Sequence, residues 1–460
     1  MSPRLAIVVF ALGISGLFLL DRNREARTSK ALWIPVLWLL IAGSRMVSLW
    51  LSTIGWGDAA ATVDSPDQYL EGSPLDRLIL SGLLFAGIAV LIQRSRRVVM
   101  MLRANGPIIL FFVYCAISTL WSDYTGVAFR RWTKALGDLV MVLIVLTDRS
   151  PSAAIKHLLT RVGFLLVPIS VLLIKYYPDL GRGYHPWTWT PYYTGVTMGK
   201  NLLGMICLLF GLGSVWRFLQ VFQGKEGPRR TGPLIAHGTM LVMVFWLFWM
   251  ADSMTSLSCF LLGVILIAAT SIRALARKPA IIHLLVVTML SVSAAVLFLD
   301  LGSGFVETMG RDPTLTGRSA IWNLVLGMTA NPLSGTGFES FWLGPRLDKI
   351  WSLYWWHPNE AHNGYLEVYL NLGWVGVAIL AMMLITGYRT VVAAFRDDPN
   401  TAGLRLTYFV IAVAYNFTES AIRMMNPVWT FFLLSTLAVP WGWDRVKPRS
   451  FPHPPALPRK

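Results

Sequence analysis

Thirteen apolar runs dominate this sequence, at about 5–20, 31–52, 78–92, 107–121, 135–147, 157–174, 201–222, 233–250, 257–271, 280–299, 365–387, 404–416 and 427–443. A helix that crosses the hydrocarbon core of a bilayer needs about 20 apolar residues, so thirteen spans would use about 260. The chain has 460 residues, and 55% of them are hydrophobic. Only 14% are charged, against roughly 25% in an ordinary soluble domain. Such a chain cannot keep its apolar surface from water, so lipid must be its solvent. Backbone in lipid has to satisfy its own hydrogen bonds, and long apolar runs therefore read as helices. The ten-residue alternation of a membrane barrel is absent. The expected fold is an all-α polytopic membrane protein with about 12–13 transmembrane helices. A soluble enzyme, a nucleic-acid-binding domain and a secreted disulfide scaffold are excluded. Cys115, Cys207 and Cys259 each lie inside an apolar run, with no disulfide framework and no metal-ligand spacing. Run 5–20 lacks a small-residue cleavage site and reads as a retained first span.

Net charge is +16, and its distribution sets the topology. Segments 21–30, 93–106, 148–156, 217–232, 271–279, 388–405 and 444–460 hold 25 of the 40 Lys and Arg residues but only seven of the 24 acids. Basic loops stay on the cytoplasmic side. The Pro-rich tail at 453–458 is then inside and the short N-terminus outside. Four parts follow: about ten spans over 1–300, a large outer loop over 301–364, the C-terminal spans over 365–443, and a cytoplasmic tail over 444–460. A second outer segment, 53–77, carries Asp58, Asp64, Asp67, Glu71 and Asp76 and reads as a solvated loop. Within the large loop, Thr316 is a plausible N-cap, followed by Ile321, Trp322, Val325 and Leu326 at helical spacing. Asn331-Pro332 ends that helix, and Gly335 and Gly337 make a flexible turn.

The informative residues are basic ones on the outer side, against the topology rule. They are Arg130, Arg131 and Lys134 in segment 122–134, Lys200 in GVTMGKN, Arg311, Arg318, Arg346 and Lys349 in the large loop, and Arg423 between the last two spans. Arg346 and Lys349 fit equally well as snorkelling flank residues. The others point to an anion site on the outer face. Arg offers phosphate oxygens a planar fork that Lys lacks. No Asp-x-Asp pair stands outside to hold a divalent metal, so phosphate charge would fall to Arg and Lys directly, and the expectation is no metal and no cofactor. His362, in NEAHNGYLEVYLNLG, is the proton-handling candidate, because an unshifted His titrates near pH 6.5. Nearby Arg311 and Arg318 would lower that pKa, and Glu360 would raise it. Its structural alternative is a helix cap. Glu419 and Arg423, four residues apart, fit a pair on one helical face. The many Trp and Tyr residues in 176–193 and 351–356 suit an interfacial aromatic belt or stacking on sugar rings.

The stretch GRDPTLTGRSAIWNLVLGMTANPLSGTGFESFW, followed by HPNEAHNGYLEVYLNLGWVGV, resembles the O-antigen ligase and polysaccharide polymerase superfamily. The pattern is Gly317-Arg318 with Trp322, then Pro332 with Gly335 and Gly337, then His362-Asn363-Gly364-Tyr365-Leu366. It covers about 310–380 strongly and, with GVTMGKNLLG, most of the chain more weakly. The paired GRD and TGR look most like the exopolysaccharide-production polymerase branch. The resemblance implies a metal-independent glycosyltransferase of the bacterial inner membrane with its site facing the periplasm. Its donor would be a glycan on undecaprenyl pyrophosphate, and its acceptor a hydroxyl on another lipid-linked glycan or on lipid A core. A flippase or chain-length regulator would be a natural partner, alongside membrane lipids and without nucleic acid. Arg318 and His362 carry over as catalytic. Arg311, Arg130, Arg131, Lys134, Lys200, Asn201, Asn363 and Glu419 are the expected substrate-binding set. One departure stands out. Where ligases of this family often have an Arg at the end of an earlier span, ADSMTSLSC has Thr255 or Ser256; either another cation replaces it, with Lys200, Arg130 and Arg131 as candidates, or the chain is not a ligase. Polymerase and ligase both stay open. The rival of another class is a transporter, suggested by Arg45, Asp138 and Arg161 inside spans.

Overall fold

The computed structural model describes the chain apart from residues 23–27, 54, 56–72, 185–188, 225–230, 273–274, 276–277, 299–315, 330, 397 and 440–460, and apart from the side chains of 279, 296–298 and 316–319. Arg311, the Pro-rich tail and most of the acidic segment 53–77 lie outside the described residues, as does the side chain of Arg318.

Each of the thirteen apolar runs carries helix. Among the described residues, seven helices are long and apolar enough to cross a membrane: Pro3–Leu20, Pro74–Gln93, Pro151–Tyr176, Lys200–Phe222, Thr231–Ala251, Met254–Ser271 and Gly364–Ala394. Two bent pairs raise the number to nine. Lys30–Ala42 meets Val47–Thr53 at 64°, and Ser95–Ala104 meets Gly106–Trp121 at 93°. Ala280–Ala295 and Pro427–Thr436 are apolar but shorter. The protein is therefore an all-α multi-pass membrane protein; among the described residues seven to nine helices meet the length and composition of a span, where the apolar runs predict twelve to thirteen. The physical reason lies in particular runs. Run 31–52 breaks between Ala42 and Val47. Helix Thr125–Leu146 carries Arg130, Arg131, Lys134 and Asp138 within its length. Among the described residues the only sheet is the small hairpin of Arg182–Tyr184 and Pro191–Tyr193.

The helix starts are written in the sequence. Proline, which has no N–H to leave unpaired, opens Pro3–Leu20, Pro74–Gln93, Pro151–Tyr176, Pro399–Tyr415 and Pro427–Thr436. Ser73 and Asp76 form a reciprocal capping box, a device worth about 0.5–2 kcal/mol. Lys200–Phe222 forms the centre, with 78% of its apolar window buried, and Pro3–Leu20 is at the rim with 11%.

The large loop is partly helical, as expected. Thr316–Gly327 and Pro345–Leu353 fold over a separate small core of Ile321, Val325, Phe341, Trp342, Leu347, Ile350, Ala361 and Leu370. The Pro-x-x-Gly-x-Gly turn fastens this loop to the long helix Gly364–Ala394. That helix is broken at Gly373, whose φ is 62°. The break frees two N–H groups, and the turn accepts them: Trp374 N donates to Pro332 O (2.9 Å) and Val375 N to Leu333 O (3.1 Å). In return Thr336 N donates to Leu370 O (3.1 Å) and Gly337 N to Asn371 O (2.9 Å). Gly337 has φ 95°, and a Cβ there would lie 2.8 Å from Ser118 O. Both strain and space thus require glycine. Gly337→Ala is expected to lower stability by about 1–3 kcal/mol, read as a lower melting temperature of the detergent-purified chain. Gly82, where a Cβ would meet nothing within 4 Å, is the control. Equal melting of Gly337→Ala and Gly82→Ala would contradict this role for the turn.

Two of the charges that suggested a transport path, Asp138 and Arg45, are hydrogen-bonded struts. Asp138 is fully buried and accepts from Trp38 Nε1 (2.8 Å) and Met425 N (2.9 Å). Arg45 donates to Thr197 O (3.3 Å) and Leu180 O, holding the turn that leads into Lys200. Arg161 lies over the Trp33 ring at 4.5 Å.

Candidate active site

His362 sits on a short segment between the large loop and the long helix, and almost every neighbouring peptide group is held. Trp351 Nε1 donates to Pro358 O (3.0 Å), Trp322 Nε1 to Ala361 O (2.8 Å) and Ala361 N to Glu367 Oε1 (2.6 Å). Asn363 N donates to Ser420 Oγ (3.2 Å), and Gly364 N to Asn416 O (2.9 Å) and Glu419 O (3.1 Å). His362 itself has φ 49°, a conformation uncommon outside glycine. It persists because its surroundings over-determine it.

The helix cap is Asn363, not His362. Asn363 Oδ1 accepts from Tyr365 N and Leu366 N, both at 3.0 Å, and Nδ2 donates to Phe417 O (3.3 Å). Its amide is therefore engaged with backbone at both ends.

The second wall is segment 416–426. Asn416 ends helix Pro399–Tyr415, with Oδ1 accepting from Ala421 N (2.9 Å) and Ile422 N (3.2 Å). The chain beyond is therefore a loop. Two acids fix its far end: Met424 N donates to Glu339 Oε1 (2.7 Å) and Met425 N to Asp138 Oδ2 (2.9 Å). Segment 419–423 is not helical, so the four-residue spacing of Glu419 and Arg423 does not set them on one helical face. Glu419 Oε2 lies 3.5 Å from His362 Nδ1, and Arg423 Nη1 lies 3.2 Å from Glu360 Oε2.

Glu360 completes the centre, with Oε1 at 3.0 Å from His362 Nδ1. These are ion-pair contacts; their angles do not make Nδ1 a well-aligned hydrogen-bond donor. Burial alone would lower the His362 pKa, but the Glu360 carboxylate, and then Glu419, outweigh it and push it up to about 10. The condition set by Glu360 in the sequence has prevailed over the unshifted value near 6.5, and His362 carries its proton at neutral pH. By linkage this pairing supports the fold fully below pH 6.5, and the support is lost as pH rises through about 10. Both carboxylates face Nδ1, so Nε2 is the nitrogen left for a ligand.

Of the other expected residues, Asn201 and Arg131 reach this centre. Asn201 Nδ2 donates to Glu419 Oε1 at 3.4 Å. Lys200, one residue earlier, pairs with Asp252 at 3.7 Å. Thr255 Oγ1 lies 3.2 Å from Thr418 Oγ1, so the divergent ADSMTSLSC segment meets the 416–426 loop with hydroxyls. Arg131 is 2% exposed, and its Nη1 donates to Glu339 O (2.6 Å). It lines a cavity of about 40 Å³ together with Arg423, Glu339, Glu360, Glu367 and Ser420, enough for about three waters. Lys134 is buried one turn further along the same helix, whereas Arg130 is exposed. Arg346 is a strut, paired with Asp123 at 2.9 Å and donating to Phe341 O (3.1 Å). Arg318 lies on helix Thr316–Gly327, four residues before Trp322.

Glu339, Glu360 and Glu367 were not singled out as site residues by sequence reasoning. Glu360, two residues before His362, was within reach of it; Glu339 and Glu367 gave no sign. Glu360, His362 and Glu419 each present one ligand atom within 4.8 Å of the others, so among the described residues they are the group that could hold a metal ion. Arg423 already takes the other oxygen of Glu360.

Residues 230–381 match the family described as O-antigen ligase. The matched stretch takes in Arg318, the Pro332–Gly337 turn and His362, and it ends before Glu419 and Arg423. The chain is also 23% identical, over 289 residues, to the exopolysaccharide production protein ExoQ of Rhizobium meliloti (strain 1021). That alignment covers 60% of this chain and 63% of the relative. The resemblance read from the motifs is thus borne out: this multi-pass membrane protein is similar to the O-antigen ligase and polysaccharide polymerase superfamily, on its exopolysaccharide-production side.

Proposed function

We propose that this protein is a glycosyltransferase of the inner membrane that polymerises an exopolysaccharide. It would take a glycan from undecaprenyl pyrophosphate and pass it, at the periplasmic face, to a hydroxyl on a second lipid-linked glycan. The observation that carries this reading is His362 held between Glu360 and Glu419, beside Arg423, inside a segment similar to O-antigen ligases. Arg318, Arg311 and Lys200 are the cations assigned to the pyrophosphate, with Arg130, Arg131 and Lys134 as further positive charge on the adjoining helix. The acceptor oxygen bonds to the anomeric carbon as the bond from that carbon to the pyrophosphate oxygen breaks. Undecaprenyl pyrophosphate leaves with its growing charge stabilised by the arginines. Preorganised donors of this kind are worth about 3 kcal/mol each.

His362 enters as a cation. Its Nε2–H orients the reacting oxygens, and the acceptor loses its proton to water once the new bond has formed. The sign of the pH dependence follows. The charged form persists below about 10, so single-turnover transfer is expected to stay level between pH 6.5 and 9 and to fall above about 10. A rate that instead climbs through this whole range would assign the imidazole as base.

Ligation to lipid A core is the second reading, favoured by the O-antigen ligase description of the matched segment. Against it stands ADSMTSLSC, where hydroxyls occupy the place of the arginine common in ligases.

The placement of the site is tested by topology. Reporter fusions after Ser150 or Gly227 are expected to read as cytoplasmic, and fusions within 340–350 as periplasmic. A cytoplasmic reading at 340–350 would put His362 on the wrong side for the proposed donor.

A further inference from the structure

We propose that Trp322 is the positioning residue that joins the Arg318 helix to the His362 peptide, so that one indole sets both halves of the site. The inference rests on the roles proposed above for Arg318 and His362. Trp322 Nε1 donates to Ala361 O at 2.8 Å. That carbonyl belongs to the peptide bond entering His362, and the orientation of its plane sets the His362 φ of 49°. On the other side of the same residue, Ala361 N is held by Glu367 Oε1 at 2.6 Å. An unheld peptide would relax toward negative φ, which a non-glycine residue prefers, and the imidazole would swing away from Glu360 and Glu419.

The other end of the strut is a helix. Ile321 and Val325, 2% and 0% exposed, bury one side of Thr316–Gly327 in the small core of the loop. Arg318 precedes Trp322 by four residues and so lies on the same stripe of that helix. Docking Trp322 on Ala361 ties helix Thr316–Gly327, which carries Arg318, to the His362 segment. Indole suits the task because its N–H stands far from the backbone on a rigid ring. Phenylalanine would keep part of the packing but has no donor.

The test compares wild type, Trp322→Phe, Arg318→Lys and the double variant of the purified full chain, in single-turnover transfer from an undecaprenyl-pyrophosphate-linked oligosaccharide. Trp322→Phe is expected to lower the rate about 10-fold, because small misplacements are costly to oriented reactants. Since Trp322 acts on both Arg318 and His362, the double variant should lose less than the product of the two single losses, keeping only the part that passes through His362. Losses that multiply, or a wild-type rate for Trp322→Phe, would overturn the proposal. A second measurement covers the case in which Arg318→Lys is too slow to read. Spin labels at Asn323→Cys and Lys349→Cys, both exposed positions, should give one narrow distance in the wild-type background and a broadened distribution with Trp322→Phe. An unchanged narrow distribution would overturn the proposal. If Arg318→Lys transfers at the wild-type rate, the donor role of Arg318 fails, and the distance measurement still judges the anchoring of the helix.

Discussion

Arg318→Ala is expected to lower transfer at least 10²-fold while the protein remains folded in membranes. Loss of one preorganised donor to a developing anion typically costs 10²- to 10³-fold in rate, and Arg318 is assigned two phosphates that gain charge as the glycan departs. Arg318→Lys should recover little of this loss, because a point charge cannot reproduce the bidentate fork. Helix Thr316–Gly327 is held by Ile321, Val325 and Trp322, so truncating Arg318 leaves its scaffold in place. Polymer yield in cells together with the amount of membrane-inserted protein is the measurement. Full polymer production by Arg318→Ala would remove this residue from the mechanism.

His362→Ala is expected to lose about 10²- to 10³-fold, the cost of removing one positioned donor, and also to leave Glu360 and Glu419 facing each other without the charge between them. His362→Asn distinguishes roles that alanine cannot. The helix cap is supplied by Asn363, so a full rescue by asparagine can no longer be credited to capping. Asn keeps an N–H donor and loses the charge, and should fall between wild type and alanine. His362→Lys would restore charge without the ring geometry and should not exceed His362→Asn. Single-turnover rates at saturating donor decide this. Near-wild-type transfer by His362→Ala would take the imidazole out of the reaction.

The helical, membrane-spanning character was legible because lipid imposes one pattern on every span. Span number was less legible. Arg45 and Ser44 interrupt an apolar run at a 64° bend, and the pattern of hydrophobicity does not register a change of direction. His362 and Arg318 were read from motif resemblance, and the structure brings His362, Glu419 and Asn201 together. Glu419 with Arg423 misled, because i,i+4 spacing carries meaning only in a helix, and Asn416 had already ended that helix. Glu339 and Asp138 reach the 416–426 loop from sequence distances of 85 and 287 residues, contacts that no local pattern encodes. The same holds for Gly335 and Gly337. They read as a flexible turn, yet they are fixed pieces that fill the break at Gly373.

The central claim is glycan transfer from a lipid pyrophosphate, and it is tested most directly with the purified chain in proteoliposomes. Undecaprenyl-pyrophosphate oligosaccharide, labelled in the sugar, is supplied with EDTA present, and products are separated by size. The account predicts a ladder of longer lipid-linked glycans and released undecaprenyl pyrophosphate, at an undiminished rate in the chelator and absent with Arg318→Ala. Labelled donor that crosses the bilayer unchanged, with no lengthened product, would contradict it and assign the protein to transport.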